Sequence, residues 1–528
     1  MPLSASSTSQ VASLQRRRLG VTHLVFFTVA ASAPLTALAG GVTTAYAVSG
    51  NQGVPLAFLV VSVALALFAV GYVAMSRHVA SAGAFYAYLA RGIGRPAGVA
   101  GAFVALVSYN SIQVGLYGLF GSTVSNFAAE AFGLRMPWWI WALLAMGTVA
   151  ALGLLRVDLN ARVLAVLLIA EVAVVAAFDI IGFARPAEGV VTTAPLMPST
   201  LLAGGLGAAI AFTVASFTGF ESGAIYSEEA RDPYRAVGRA TLIAIVFIGS
   251  FYALSSWAVV AATGARRLQE RASTEGPALI IRPLADAFGP IVADLATALL
   301  LGSVFAALLS FHNSVARYLL VLGRERVLPE KLSSIGGRSG APVAGSIAQS
   351  TLALVVVAGF AIADADPMLT LFSWSSGLAA LGVVLLLAGT SVAVIGFFRH
   401  SSVVSPTLVW SRTIAPALAA TLLLTFLVVM VVNFDSLLGV APSSPIRWLL
   451  AVTVLAAALG GAVWALYLRG FRPDVYADIG GAVRAPKFDK PSIYWHHTNE
   501  AASAPRPESA PVPQEESTSI LPRLDSDS

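Results

Sequence analysis

Apolar residues run along this chain in long blocks separated by short polar segments. The blocks centre on 22–49, 54–75, 98–128, 138–155, 160–183 and 203–227, then on 238–263, 289–321, 343–363, 369–398, 413–434 and 447–468. A helix that crosses a bilayer needs roughly 20 predominantly apolar residues, and each block is near that length. The pattern predicts an all-α membrane protein of about 12 transmembrane helices.

Composition supports the pattern. Hydrophobic residues make up 57% of the 528 and charged residues 11%, against about a quarter charged in soluble domains. That much apolar surface must face lipid. With no cysteine, there is no disulfide framework and no thiolate nucleophile or metal ligand. A net charge of +5 could suggest nucleic acid, but the basic residues lie in short loops between apolar blocks, so no nucleic-acid partner is expected. With the N-terminus in the cytoplasm, alternating sides assign 18 Lys/Arg to cytoplasmic segments before the tail and 7 to external ones. Four of the 7, Arg266, Arg267, Arg271 and Arg282, share one long loop. This bias places both termini in the cytoplasm of a protein embedded in the cell (inner) membrane.

Arg16-Arg17-Arg18, an apolar run and Ala37-Leu38-Ala39 imitate a secretory signal with its cleavage site. The apolar run continues to Val48, however, and an odd number of spans would break the charge bias. The block is therefore read as a retained first span. Residues 1–18 read as a disordered cytoplasmic segment, 19–470 as the transmembrane domain and 471–528 as a cytoplasmic, largely disordered tail rich in Ser, Pro and Ala.

Two spans carry helix-breaking chemistry at mid-membrane depth. In the first, Ser32-Ala33-Pro34-Leu35-Thr36 is followed by Gly40-Gly41, and a proline there removes a helix hydrogen bond. In the sixth, Ala215-Ser216-Phe217-Thr218-Gly219-Phe220-Glu221 brings together glycine, two hydroxyls and a carboxyl. Paired interruptions five spans apart point to an inverted-repeat transporter with its site between the breaks. Freed amides would attract a carboxylate, and freed carbonyls an ammonium or cation. The competing reading is a simple kink at Pro34 and close packing at Gly219.

At these residues the chain resembles the amino acid–polyamine–organocation (APC) superfamily of permeases. Three stretches carry the resemblance: Ser81-Ala82-Gly83-Ala84-Phe85-Tyr86-Ala87-Tyr88, the run from Phe217 through Glu221 to Asp232-Pro233, and Arg317-Tyr318 with Leu322-Gly323-Arg324-Glu325-Arg326-Val327-Leu328-Pro329. The resemblance implies a LeuT-like fold of two inverted five-helix repeats, about 19–183 and 201–398, plus two further helices over about 413–468. It implies alternating-access transport of amino acids or related amines, coupled to a proton or a sodium ion or, alternatively, exchange of an amino acid or polyamine without net proton coupling, with no cofactor and no enzymatic step. The chain departs from the family in three places. Ala31-Ser32-Ala33-Pro34 replaces a Gly-Ser-Gly-like run, Val79 stands where proline is common, and Ala215 stands where some relatives carry a gating tryptophan.

Candidate substrate contacts are therefore Ser32, Ala33, Pro34, Thr36, Ser216, Phe217, Thr218 and Gly219 at the breaks, with Tyr109 and Gln113 on span three. For the last two, as for Asn110, the favoured competing reading is a staple between helices. Candidate coupling and gating residues are Glu221, Glu171 and Trp374. The resemblance gives Glu221 a proton-sensing role. Glu171 matches a slot where some proton-coupled relatives carry a lysine, so it can bind a cation, carry a proton or serve as an interhelical hydrogen-bond partner. Trp374 can be a gate or a packing residue. His312, alone of its kind in its span, has no metal-ligand spacing. Ser81 to Tyr88, with Arg91 and Arg95, reads as an interfacial amphipathic segment.

Overall fold

The computed structural model describes residues 21–76, 78–79, 84–155, 161–220, 233–337, 340–399 and 406–481. Among them the regular structure is helical, with no strand, and eleven helices are long and apolar enough to cross a membrane. A shorter apolar helix, Leu206–Phe217, supplies the sixth of twelve spans. The chain is a multi-pass membrane protein.

Span 1 runs to Ser49 in pieces: helix Val21–Ala31, a break, a restart at Pro34–Thr36, a wide-turn stretch Ala37–Val42 and a final helix Thr43–Ser49. Span 2 is Val54–Ser76, span 3 Arg95–Phe132, span 4 Trp138–Leu155 and span 5 Ala161–Ala184. Span 7 is Pro233–Thr263, span 8 Pro290–Arg324 and span 9 Val343–Ile362. Spans 10, 11 and 12 are Pro367–Phe398, Trp410–Val432 and Pro445–Phe471. Spans 3 and 8, with 38 and 35 residues, exceed the bilayer and must tilt or project from it.

Span 3 is the central post, touched by spans 4, 8, 9, 10 and 12. The first helix of span 1 lies against spans 5 and 7, and span 6 lies against spans 2, 10 and 11. Lipid removes the hydrophobic drive between helices, so close backbone approach carries the packing. At Gly92 and Gly396 the two backbones touch: a Cβ on either would collide with a carbonyl of the opposite segment. Large apolar side chains such as Val63, Leu144, Val166, Ile180 and Val355 are exposed on the periphery, where acyl chains would cover them.

Three expectations change. The segment expected at the membrane interface forms helix Ala84–Gly92 from its described part onward, and Phe85, Tyr86, Ala87, Tyr88 and Leu89 are all buried. It is wedged between spans 3 and 10, because its aromatic side chains find protein partners on every side. Ser81 lies outside the described residues. The loop 264–288 is mostly helical, as Leu268–Glu275 and Ala278–Phe288, with Glu275 paired to Arg271 at 2.7 Å and Arg282 at 3.4 Å. The expected tail begins with structure: helix Pro473–Asp478 buries Val475, Arg326 meets Asp474 at 3.4 Å, and the Gly480 amide donates to Tyr86 Oη and Glu325 Oε2. Residues 482–528 lie outside the described residues.

Candidate functional site

The first break follows from its sequence. The helix ends as Ser32 and Ala33 amides turn back to the carbonyls of Val29 and Ala30, both at 3.1 Å. Ala33 then adopts a left-handed conformation, φ 46° and ψ 74°, which costs a non-glycine residue about 1–2 kcal/mol. Pro34 has no amide to lose and restarts the helix at its first turn. The Leu35 amide, which has no partner within that restarted helix, donates to Glu171 Oε2 at 3.2 Å.

Around that bond lies a buried polar cluster assembled from four spans. Glu171, 3% exposed, also receives a hydrogen bond from Ser303 of span 8. Thr36 donates to Ser303 Oγ at 2.8 Å. On the other side of the break, Tyr252 Oη of span 7 lies 3.1 Å from Ser32 Oγ and donates to the Ser32 carbonyl at 3.2 Å. The carboxylate thus does the work of a helix cap from another span. Ser303 and Tyr252 were not identified from the sequence, since a single hydroxyl in an apolar span gives no sign of its partner.

In span 6 the helix stops at Phe217. Thr218 leaves the helical region (φ −58°, ψ 127°) and Gly219 takes φ 111°, which favours glycine. Glu221 lies outside the described residues, as do Glu228, Glu229, Arg231 and Asp232.

Between the two breaks is a cavity of about 50 Å³, lined by Ser32, Ala33, Thr36 and Gly41 of span 1 and by Ser216 and Thr218 of span 6, among others. Ile112 and Leu116, Phe311, Phe212 and Phe372 make the remaining wall largely apolar. Thr218 Oγ1 and Ser376 Oγ, both on this wall, are buried without a hydrogen-bond partner among the described residues. Buried polar atoms are normally satisfied, so these two hydroxyls are free to bind a polar ligand group. A second recess of about 320 Å³ includes Thr44, Asn126, Glu275, Asp366 and Pro367–Leu369. It lies one helical turn further along spans 1 and 10, since Gly41 and Phe372 line the first and Thr44 and Leu369 the second.

Five of the predicted contacts, Ser32, Ala33, Thr36, Ser216 and Thr218, therefore share one wall. The others are elsewhere. Pro34 is buried behind the restart, and Phe217 packs on Phe58 with ring centroids 6.1 Å apart. Gly219 shapes the turn. Tyr109 packs tilted against Phe311 and edge-on against Tyr318 rather than lining the cavity. Gln113 bonds Gln349 of span 9 and Tyr117, so it joins helices. Trp374 meets Phe360 edge-on at 6.5 Å, away from the cavity. At 100° per residue, the helix that turns Phe372 and Ser376 inward turns Trp374 outward. His312 bonds Ser346 at 2.7 Å.

Residues 19–458 match the family described as amino acid permease. Over 149 residues the chain is 32% identical to an uncharacterized transporter of Mycobacterium tuberculosis, covering 28% of this chain and 32% of the relative. A transporter of Mycobacterium bovis matches equally. The chain thus spans about a third of the length of these mycobacterial relatives. A longer match, 24% identical over 335 residues, covers 59% of this chain and 70% of the branched-chain amino acid permease of Lactococcus lactis.

Proposed function

The chain belongs to the amino acid permease family, and from that premise we propose that it is a secondary transporter of amino acids with apolar side chains, driven by protons. The observation that carries the reading is the cavity between the two helix breaks, with free hydroxyls at Thr218 and Ser376 and a wall of Ile112, Leu116 and three phenylalanines. Such a wall suits an aliphatic side chain, and the breaks supply dipoles for the carboxylate and ammonium. A relative named as a branched-chain amino acid permease agrees with that choice.

About 50 Å³ holds one or two waters and no amino acid, so substrate enters as the walls part. Alternating access would rock the broken spans against the central spans. Residues 19–183 and 201–398 would form the two inverted repeats, with 413–468 outside them, and both termini would face the cytoplasm of the cell membrane. Glu171 would be the coupling carboxyl: in losing a proton it strengthens its hold on the Leu35 amide and in gaining one weakens it, and so biases the restarted half-helix. Glu221, named by the family resemblance, is a second candidate.

The test uses purified protein in liposomes, offered labelled leucine, isoleucine and putrescine under imposed proton or sodium gradients. Leucine uptake that follows the proton gradient is expected. Exchange of putrescine without response to either gradient would replace this reading with that of an amine exchanger.

A further inference from the structure

Span 5 carries a second buried carboxyl that the site above does not use. Asp179 is 5% exposed and lies eight residues beyond Glu171, about 12 Å along the helix. Its Oδ2 accepts from Ser255 Oγ of span 7 at 2.8 Å, while Oδ1 has no partner among the described residues. A charged group at this depth is costly, and by default marks an ion or proton route. The geometry gives it a destination. Ser255 stands three residues from Tyr252 on span 7, so the two share a face with Cβ atoms about 5–6 Å apart. Tyr252 bonds Ser32, three residues before the Leu35 amide that Glu171 holds.

Among the described side chains, the other charged groups and histidines on elements packed against span 5 are Arg239 in span 7, Arg282 and Asp286 on helix Ala278–Phe288, and Asp294, His312, Arg317 and Arg324 in span 8. All but His312 are exposed, and His312 bonds Ser346, so none pairs with buried Asp179. Beyond Asp179, spans 5 and 7 close on each other: the Ala187 amide bonds the Ala261 carbonyl, and Trp257 bonds the Thr192 carbonyl. A small recess there is lined by Glu188, Thr192 and Trp257.

We propose that Asp179 and Ser255 form the outer station of a proton relay that passes through Tyr252 to Glu171. The proposal rests on the proton-driven reading above, with Glu171 as its end point. A proton held by the Asp179 carboxyl passes to a hydroxyl, each hydroxyl gives up its own proton as it accepts the next, and the last joins the Glu171 carboxylate. Asp179 is left ionised and Glu171 neutral, so one proton moves inward and nothing else changes. In this relay the step between Ser255 and Tyr252, one helical turn apart, runs through a bridging water.

The test compares wild type, Asp179→Asn, Ser255→Ala and Glu171→Gln in liposomes loaded with a pH-sensitive dye, reading leucine-coupled proton influx and leucine exchange separately. Asp179→Asn is expected to lower proton influx by about tenfold or more, with exchange within roughly twofold of wild type. Ser255→Ala should lower influx in the same direction. Influx at the wild-type level in Asp179→Asn, when Glu171→Gln abolishes it, would overturn the relay and leave the proton-driven reading intact. Equal losses of influx and exchange would make Asp179 a structural residue and also overturn it. Wild-type protein that carries leucine without protons would end both proposals. Should Asp179→Asn fail to fold, unchanged influx in Ser255→Ala decides against the relay.

Discussion

Glu171 has two separable tasks, holding the restarted half-helix of span 1 and exchanging a charge, and two substitutions divide them. Glu171→Gln keeps an acceptor for the Leu35 amide and for Ser303 but fixes the side chain as neutral. A neutral hydrogen bond nets about 1 kcal/mol and a charge-assisted one about twice that, so over the two bonds the glutamine should cost about 2 kcal/mol of stability. Glu171→Ala leaves the Leu35 amide orphaned in a buried site, at about 1–3 kcal/mol, and opens a cavity at a further 1–2 kcal/mol or so. Thermal unfolding in detergent should therefore rank wild type, Gln and Ala in that order. Leucine exchange should survive in Gln, while uptake driven by a pH gradient should fall to near background. If Gln unfolds as readily as Ala, the charge itself anchors the helix. If Gln retains wild-type gradient-driven uptake, Glu171 does not couple transport to protons, and the reasoning fails.

Three further outcomes follow from the geometry. Ala33→Gly should raise the melting temperature slightly, because relief of about 1–2 kcal/mol of left-handed strain exceeds the 0.4–1 kcal/mol or so of added unfolded-chain entropy; a lower melting temperature would contradict the strain. Ser376→Ala removes an unsatisfied hydroxyl, so stability should hold or rise while the KM for leucine rises roughly fivefold, equivalent to one hydrogen bond of about 1 kcal/mol. Burial pushes the Glu325 carboxyl above the ordinary range, opposed by its bonds from Tyr86 and Gly480. Its contribution to stability is thus full below about pH 4.3, the unfolded value, and is lost as pH rises through the raised folded value. Between pH 4.5 and 7.5, wild type should therefore lose melting temperature relative to Glu325→Gln, and parallel curves would count against this.

The number of spans and the two breaks could be read along the chain. Block length against bilayer thickness predicts the first. Proline without a donor at 34 and glycine at 219 predict the second, because backbone chemistry of this kind acts locally, whatever surrounds it. What the sequence left open was rotation and partnership. These spans are apolar on every face, so periodicity carries little sign of which side turns inward. Trp374 and Ser376, two residues apart, could not be told apart as wall and periphery until Phe372 and Phe360 were placed. In the same way, no local feature links Glu171 to Leu35, 136 residues away, or Gln113 to Gln349. Those pairings exist because polar groups inside an apolar bundle must find one another across helices, and only the tertiary packing decides which ones meet.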